Sequence, residues 1–275
     1  MPIELVGKSP KKAAITLGVN NAKGELIVTT DGDCKHPSNW LRDIHAFYQA
    51  TKAQFIAAPV QMTQEGGGAW QKIQEVEFAL LTGIGASSMI AGFPNMCSGA
   101  NLAFTKEAFL KVNGYQGFDH IASGDDEFLM HKIYKAFPNK VKYLKSQNSI
   151  VSTIPQQSLK SFFQQRKRWA GKWKAYTHLP SIFLGVFVSI AHFSIFLLIF
   201  SSILLGFDWR IALGLWLIKA LSEIWLCTEV MFFLNKSLKK FPWICIMSLF
   251  NSLYVIVMAI VSNFSGYTWK GRKMN

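Results

Sequence analysis

The hydrophobic pattern changes character near residue 180. Before it, short apolar runs alternate with amphipathic stretches; after it, apolar runs are long enough to cross a membrane. In the first part, 25–30 and 54–62 read as strands, the second (FIAAPVQM) apolar enough to be central in a sheet. Met96–Thr105 reads as a strand or loop and Val141–Leu144 as a short edge-like strand. Between them the spacing predicts helices over 8–21, 37–50, 70–90, 106–112 and 125–137. Trp40, Leu41, Ile44 and Phe47 mark one face of the second, with Ser38 as candidate N-cap. Ile73, Val76, Ala79 and Leu80 mark one side of the third, and Asn113-Gly114 closes the fourth. Strands alternating with helices predict an α/β sandwich with a mainly parallel sheet.

The later runs, 181–206, 209–234 and 243–264, are each a candidate membrane helix, with Trp243 and Tyr267 or Trp269 as interfacial anchors. The expected organisation is therefore a soluble domain over 1–155, an amphipathic interfacial segment over 156–180, about three membrane helices over 181–264 and a basic tail over 265–275. The net charge is +13, and Lys160, Arg166, Lys167, Arg168, Lys172 and Lys174 crowd just before the first long apolar run. That placement favours the cytoplasmic face of a membrane, with membrane lipids as partners, over nucleic acid. Three full crossings put Lys270, Arg272 and Lys273 on the opposite side, so a re-entrant or surface-lying segment is the alternative. The N-terminus has no signal-peptide pattern. The four cysteines show no metal-like or CxxC spacing, and the six histidines show no ligand spacing.

Three constellations could carry chemistry. Asp31-Gly-Asp33 follows the first strand, and residues two apart on a strand share a face. Two carboxylates at a strand end can hold a hard divalent cation and, through it, a diphosphate; taken by itself the segment reads first as a solvated Asp-Gly turn, and only the motifs that follow lift the metal reading. Gly124-Asp125-Asp126-Glu127 opens a helix, where acids cap the dipole in any case. A carboxylate crowded by like charge can also serve as a general base. In Gln165–Trp169, Gln165 and Arg168 lie one helical turn apart, Arg168 offers a fork for phosphate oxygens and Trp169 a flat face for a sugar. The bland counterpart is an interfacial amphipathic helix.

An Asp-x-Asp at a strand end, a Gly-Asp-Asp opening a helix and Gln-x-x-Arg-Trp before membrane spans, in that order, resemble the membrane-bound family 2 glycosyltransferases. These are the inverting GT-A enzymes that include cellulose, chitin and hyaluronan synthases. The resemblance covers about residues 8 to 273 and takes in Lys11-Lys-Ala-Ala14, Asn95–Asn101 with its Ser-Gly-Ala-Asn, and Trp269-Lys-Gly-Arg272. It implies a partial GT-A sandwich followed by membrane helices, and a hexosyltransferase using a nucleotide-diphospho-sugar donor, a glycan or lipid acceptor and Mg²⁺ or Mn²⁺. Carried over, Asp31 and Asp33 bind the metal and donor diphosphate. Asp126 is the base, with Asp125 the alternative register. Gln165 and Arg168 grip the diphosphate and Trp169 stacks under the acceptor. The family's domain opens with further strands that bind the nucleotide base, which residues 1–10 do not supply. The chain is thus expected to lack the N-terminal part of that domain, as a truncated product, a fragment of a longer reading frame, or half of a split enzyme whose other part is a separate chain.

Two other classes compete. An inactive remnant or non-catalytic membrane partner of the same fold predicts no metal-dependent nucleotide-sugar binding. A transporter rests on Lys219 and Glu223 within an apolar span, for which an i,i+4 ion pair is the simpler account.

Overall fold

The computed structural model describes residues 9–121, 123–264, 267–269 and 272–274. The start of the expected first helix at Lys8 and residues Lys270 and Gly271 of the tail lie outside them. The side chains of Trp173, Lys174, Tyr267 and Trp269 also lie outside the description. The chain forms two compact units: residues 1–63 with 84–154, and 64–83 with 155–275.

The first unit is built on a four-stranded sheet in the order β1 (Leu26–Thr29), β4 (Leu102–Thr105), β2 (Phe55–Ala57), β5 (Val141–Tyr143). The expected mainly parallel sheet is corrected here. Within this sheet β4 runs antiparallel to both β1 and β2, and β2 and β5 are its one parallel pair among the described residues. Apolar alternation marks a strand but carries no direction, so nothing local in Leu102–Thr105 could announce its reversal.

The 54–62 run is two strands rather than one. Proline lacks the N–H a ladder needs, and Pro59 separates β2 from β3 (Val60–Met62), which pairs in parallel with β6 (Val151–Thr153) in a second sheet. β2 is apolar throughout because both its faces are covered. Phe55 and Ala57 pack with Leu102, Phe104, Phe109 and Leu129 on one side. Ile56 and Ala58 pack with Ile44 and Tyr48 on the other. Thus α1 (Pro10–Asn21), α4 (Lys106–Lys111) and α5 (Glu127–Ala136) cover one face, and α2 (Trp40–Thr51) the other. α2 starts later than its pattern suggested, with Asn39 rather than Ser38 at the N-cap.

The second unit holds the start of α3 (Ala69–Ile90), then α6 (Leu159–Gly171), α7 (Leu179–Leu205), α8 (Trp209–Phe233) and α9 (Phe241–Phe264). It ends in a small antiparallel pair, β7 (Tyr267–Trp269) and β8 (Arg272–Met274). α6 begins with a reciprocal cap between Ser158 and Ser161. Among the described residues of this unit, three helices are long and apolar enough to cross a membrane: Leu179–Leu205, Trp209–Phe233 and Phe241–Ser262. At 1.5 Å per residue even the shortest stretch measures about 33 Å, against ~30 Å of hydrocarbon. Lys219 Nζ lies 2.8 Å from Glu223 Oε1 one turn along α8, and Asn251 of α9 donates to the same oxygen at 2.8 Å, so Oε1 carries both contacts while Lys219 Nζ and Glu223 Oε2 make no hydrogen bond among the described residues.

Candidate active site

The acidic motifs of the first unit converge on the first turn of α1. Pro10 occupies an early helical position, where its missing N–H costs nothing. Lys11 and Lys12 follow in that same turn, where the helix dipole disfavours cations. Lys11 Nζ lies 2.8 Å from Asp31 Oδ1 and 2.9 Å from Asp125 Oδ2. Burial alone lowers the Lys11 pKa, but Asp125 and Asp31 outweigh it and hold it above the ordinary lysine value. The stabilisation from that pairing is therefore fully present at neutral pH and is lost only in strong alkali.

Asp31 lies two residues beyond β1. Thr30 Oγ1 donates to Ala100 O at 2.9 Å, tying this strand end to the Ser98–Asn101 loop before β4. Fully buried Asn101 fixes that loop: its amide donates to Pro59 O at 2.9 Å and Ser149 O at 2.7 Å, and its oxygen accepts from Trp40 Nε1 at 2.9 Å. Gly99 in the same loop donates its N–H to Asp126 Oδ2 at 2.9 Å. A Cβ at Gly99 would stand 3.2 Å from Asp125 Oδ2, 3.3 Å from Lys11 Nζ and 3.5 Å from Asp126 Oδ2. A bare backbone is what allows the carboxylates and the ammonium to gather there.

Asp125 and Asp126 precede α5 rather than lying in its first turn. Asp126 is the N-cap, its Oδ1 accepting from Glu127 N at 2.8 Å. Asp125 is buried and Asp126 only partly so. Burial first, then the neighbouring Asp126 charge, raises the Asp125 pKa, while Lys11 pulls it down. A raised acid binds its proton more readily folded than unfolded, so Asp125 opposes folding as pH climbs from the ordinary aspartate value to its own raised one. The same two carboxylates, after burial, push the Tyr115 hydroxyl well above the usual tyrosine value, which keeps it protonated.

Gly124 turns the chain into this site with φ of 78°, and a Cβ there would lie 2.5 Å from Phe128 Cε2. Gly124→Ala is accordingly expected to cost about 1–3 kcal/mol and lower the melting temperature by several degrees. An unchanged thermal melt would show that the turn rebuilds freely.

Asp33 is exposed and receives the Cys34 thiol at 3.9 Å. Among the described residues no three carboxylate, imidazole or thiol groups gather into a metal cage. The carboxylate oxygens of Asp31 and Asp33 are the donor type a hard divalent cation takes, and Mg²⁺ is commonly held by one or two carboxylates with substrate phosphates completing its shell.

Gln165, Arg168 and Trp169 belong to the second unit, on α6. There the neighbour of Gln165 is the organising residue. Arg166 is buried and donates bidentately to Glu77 of α3, with Nε to Oε1 at 2.9 Å. It also donates to the Gln165 side-chain oxygen, and its guanidinium lies 4.5 Å from the Phe162 ring centre and 4.3 Å from that of Trp169. Tyr254 of α9 donates to the same Glu77 carboxylate at 2.9 Å. Burial lowers the Arg166 pKa, but Glu77 more than reverses it, so this cation is permanent. Phe78 flanks the indole of Trp169 at 5.9 Å. Sequence reasoning did not single out Glu77, which sits among the apolar positions of its helix.

A model of the family described as glycosyl transferase family 21 matches residues 3–275. The chain belongs to glycosyl transferase family 21. Among curated proteins none matches it. The ordered motifs pointed to a glycosyltransferase, and family 21 is one, although the family named from those motifs was family 2. Lys11 is the residue of this family 21 chain that motif reading undervalued. The signal was present locally, as two lysines placed where a helix start favours acids.

Proposed function

We propose that this family 21 chain transfers a hexosyl group from a nucleotide-diphospho-sugar to a hydroxyl of a glycan or lipid acceptor at a membrane, in one inverting displacement. The observation that carries the reading is the gathering of Asp31, Asp125 and Asp126 around Lys11 and Gly99. Three acids from segments some 95 residues apart have no packing reason to meet, and like charges brought together cost free energy unless a cation or a reaction uses them.

Asp126 is the favoured base. It is the more accessible of the two adjacent acids, and two backbone N–H groups fix the direction of its carboxylate. It takes the proton of the acceptor hydroxyl as that oxygen bonds to the anomeric carbon and the bond to the diphosphate oxygen breaks. Asp125, held by Lys11, keeps the ammonium beside the base. Lys11 is in turn a cation available to the anionic donor. Mg²⁺ or Mn²⁺, which Asp31 and Asp33 would hold together with the diphosphate, would supply neutralisation of the leaving group's charge. Gln165 and Arg168 are assigned to the diphosphate and Trp169 to the acceptor sugar. The Arg166 stack and hydrogen bond, which orient Gln165 and Trp169, support that assignment.

The membrane reading rests on α7 to α9. If α7 and α8 each cross, the basic residues before α7 and the lysines between α8 and α9 (Lys236, Lys239, Lys240) share one side, which supports the cytoplasmic face.

The test is turnover of a panel of UDP-, GDP- and ADP-sugars by the purified full chain in lipid nanodiscs. Donor consumption is expected to stop on chelation, to return with Mg²⁺ or Mn²⁺, and to fall by about 10²-fold or more in Asp33→Ala. Consumption that ignores both the chelator and the substitution removes the roles given to Asp31 and Asp33. No consumption of any donor favours a non-catalytic partner.

A further inference from the structure

Lys12 is among the most buried side chains of the molecule, at 1% exposure, although it ends in an amine. An ammonium has three donors and no acceptor. Three backbone carbonyls receive them: Phe118 O at 2.7 Å, Ile121 O at 2.8 Å and Ser123 O at 3.0 Å. The faces of Phe128 and Tyr115 lie 5.2 and 5.9 Å from the nitrogen, an arrangement that offsets part of the lost hydration of the cation.

The segment that supplies these carbonyls runs between α4 and α5 and ends in Ser123-Gly124-Asp125-Asp126. Its described residues form no strand or α-helix that would fix it. Its other fastenings include Ser9 N–H donating to Asp119 O at 2.7 Å, and Phe118 stacked on Phe128 at 4.4 Å. The carbonyl of Ser123 is gripped only two residues before Asp125, so the Lys12 ammonium holds the backbone immediately upstream of both acids. Successive side chains on a helix diverge by about 100°. Lys11 and Lys12 therefore leave α1 in different directions, one taking the side chain of Asp125 and the other the backbone that delivers it.

We propose that Lys12 is a positioning residue: by holding the carbonyls of Phe118, Ile121 and Ser123 it sets where Asp125 and Asp126 stand, and so governs the transfer step without touching donor or acceptor. The inference rests on the glycosyl-transfer reading for its catalytic consequence. Its structural half stands alone. A neutral side chain cannot serve three inward-facing carbonyls. Unsatisfied, they turn toward water, and the acids move with them.

Two measurements on the full chain in nanodiscs test this. Lys12→Met keeps the length and apolar stem and removes the three donors. Hydrogen–deuterium exchange should rise about tenfold or more over 115–126 while β2 and β4 keep their protection. This readout needs no turnover, so it survives a failure of the functional reading. With whichever nucleotide sugar the unaltered chain consumes, Lys12→Met should lower kcat about 10²-fold with the donor KM within a few-fold, since misplacement by about 1 Å suffices for such a loss. In Lys12→Ala the space left behind should admit methylammonium or ethylammonium, restoring kcat saturably, whereas tetramethylammonium, which has no N–H, should not. Unchanged exchange over 115–126, or exchange raised equally across the first unit, would overturn the proposal. So would a donor KM that rises as much as kcat falls.

Discussion

Asp126→Asn is expected to lower the transfer rate by about 10²–10⁴-fold while leaving donor affinity within about threefold. Asparagine keeps the shape and removes the basic oxygen. Both carboxylate oxygens of Asp126 accept backbone N–H groups, from Gly99 and from Glu127. An amide satisfies only one of them, so about 1–3 kcal/mol of stability should go with the activity. A melting curve separates the two effects, because a folded protein with this rate loss has lost chemistry. Asp125→Asn is the comparison. Its carboxylate is buried against Lys11, and its removal should disturb the ammonium more than the proton transfer. If the Asp125 variant loses more rate than the Asp126 variant, the base is Asp125. A rate within a few-fold in both removes the pair from the chemistry.

The largest stability effect should come from Glu77. Glu77→Ala leaves the Arg166 guanidinium buried without its bidentate partner, and breaking a buried pair by removing one member costs about 3–5 kcal/mol. For a chain of this size that corresponds to a melting temperature lower by roughly 10 °C. The matched control replaces both charged partners with apolar groups, as in Glu77→Leu with Arg166→Met, and should recover part of the loss, the Tyr254 hydroxyl still lacking its acceptor. Turnover should not recover with it, because Gln165 and Trp169 lose the hydrogen bond and the stacked face that orient them. A double variant as active as the original would show that Arg166 has a packing role alone.

The elements of the first unit were largely readable in the chain because each owes its form to local spacing. The continuous apolar character of Phe55–Ala57, for example, follows from burial on both faces. What could not be read was pairing. The direction of β4, the grip of Lys11 on acids 20 and 114 residues further on, and the meeting of Glu77 with Arg166 all depend on where distant segments arrive. The acids at 31, 33, 125 and 126 were legible as motifs. The lysine that pairs with Asp31 and Asp125 was not, since a lysine in a helix is common and only its place in the first turn was unusual.

The composition of the second unit has a consequence in time. Residues 64–83 belong with 155–275, although the ribosome makes them before most of the first unit. At about 5–20 residues per second, roughly ten to forty seconds separate the emergence of Gly83 from that of the end of α9. Through that interval Glu75 and Glu77 await lysine, arginine and tyrosine partners still to be synthesised. Strict N-to-C maturation is thus closed to this chain, and release of a nascent chain before α9 should leave the first half of α3 the segment most open to proteolysis.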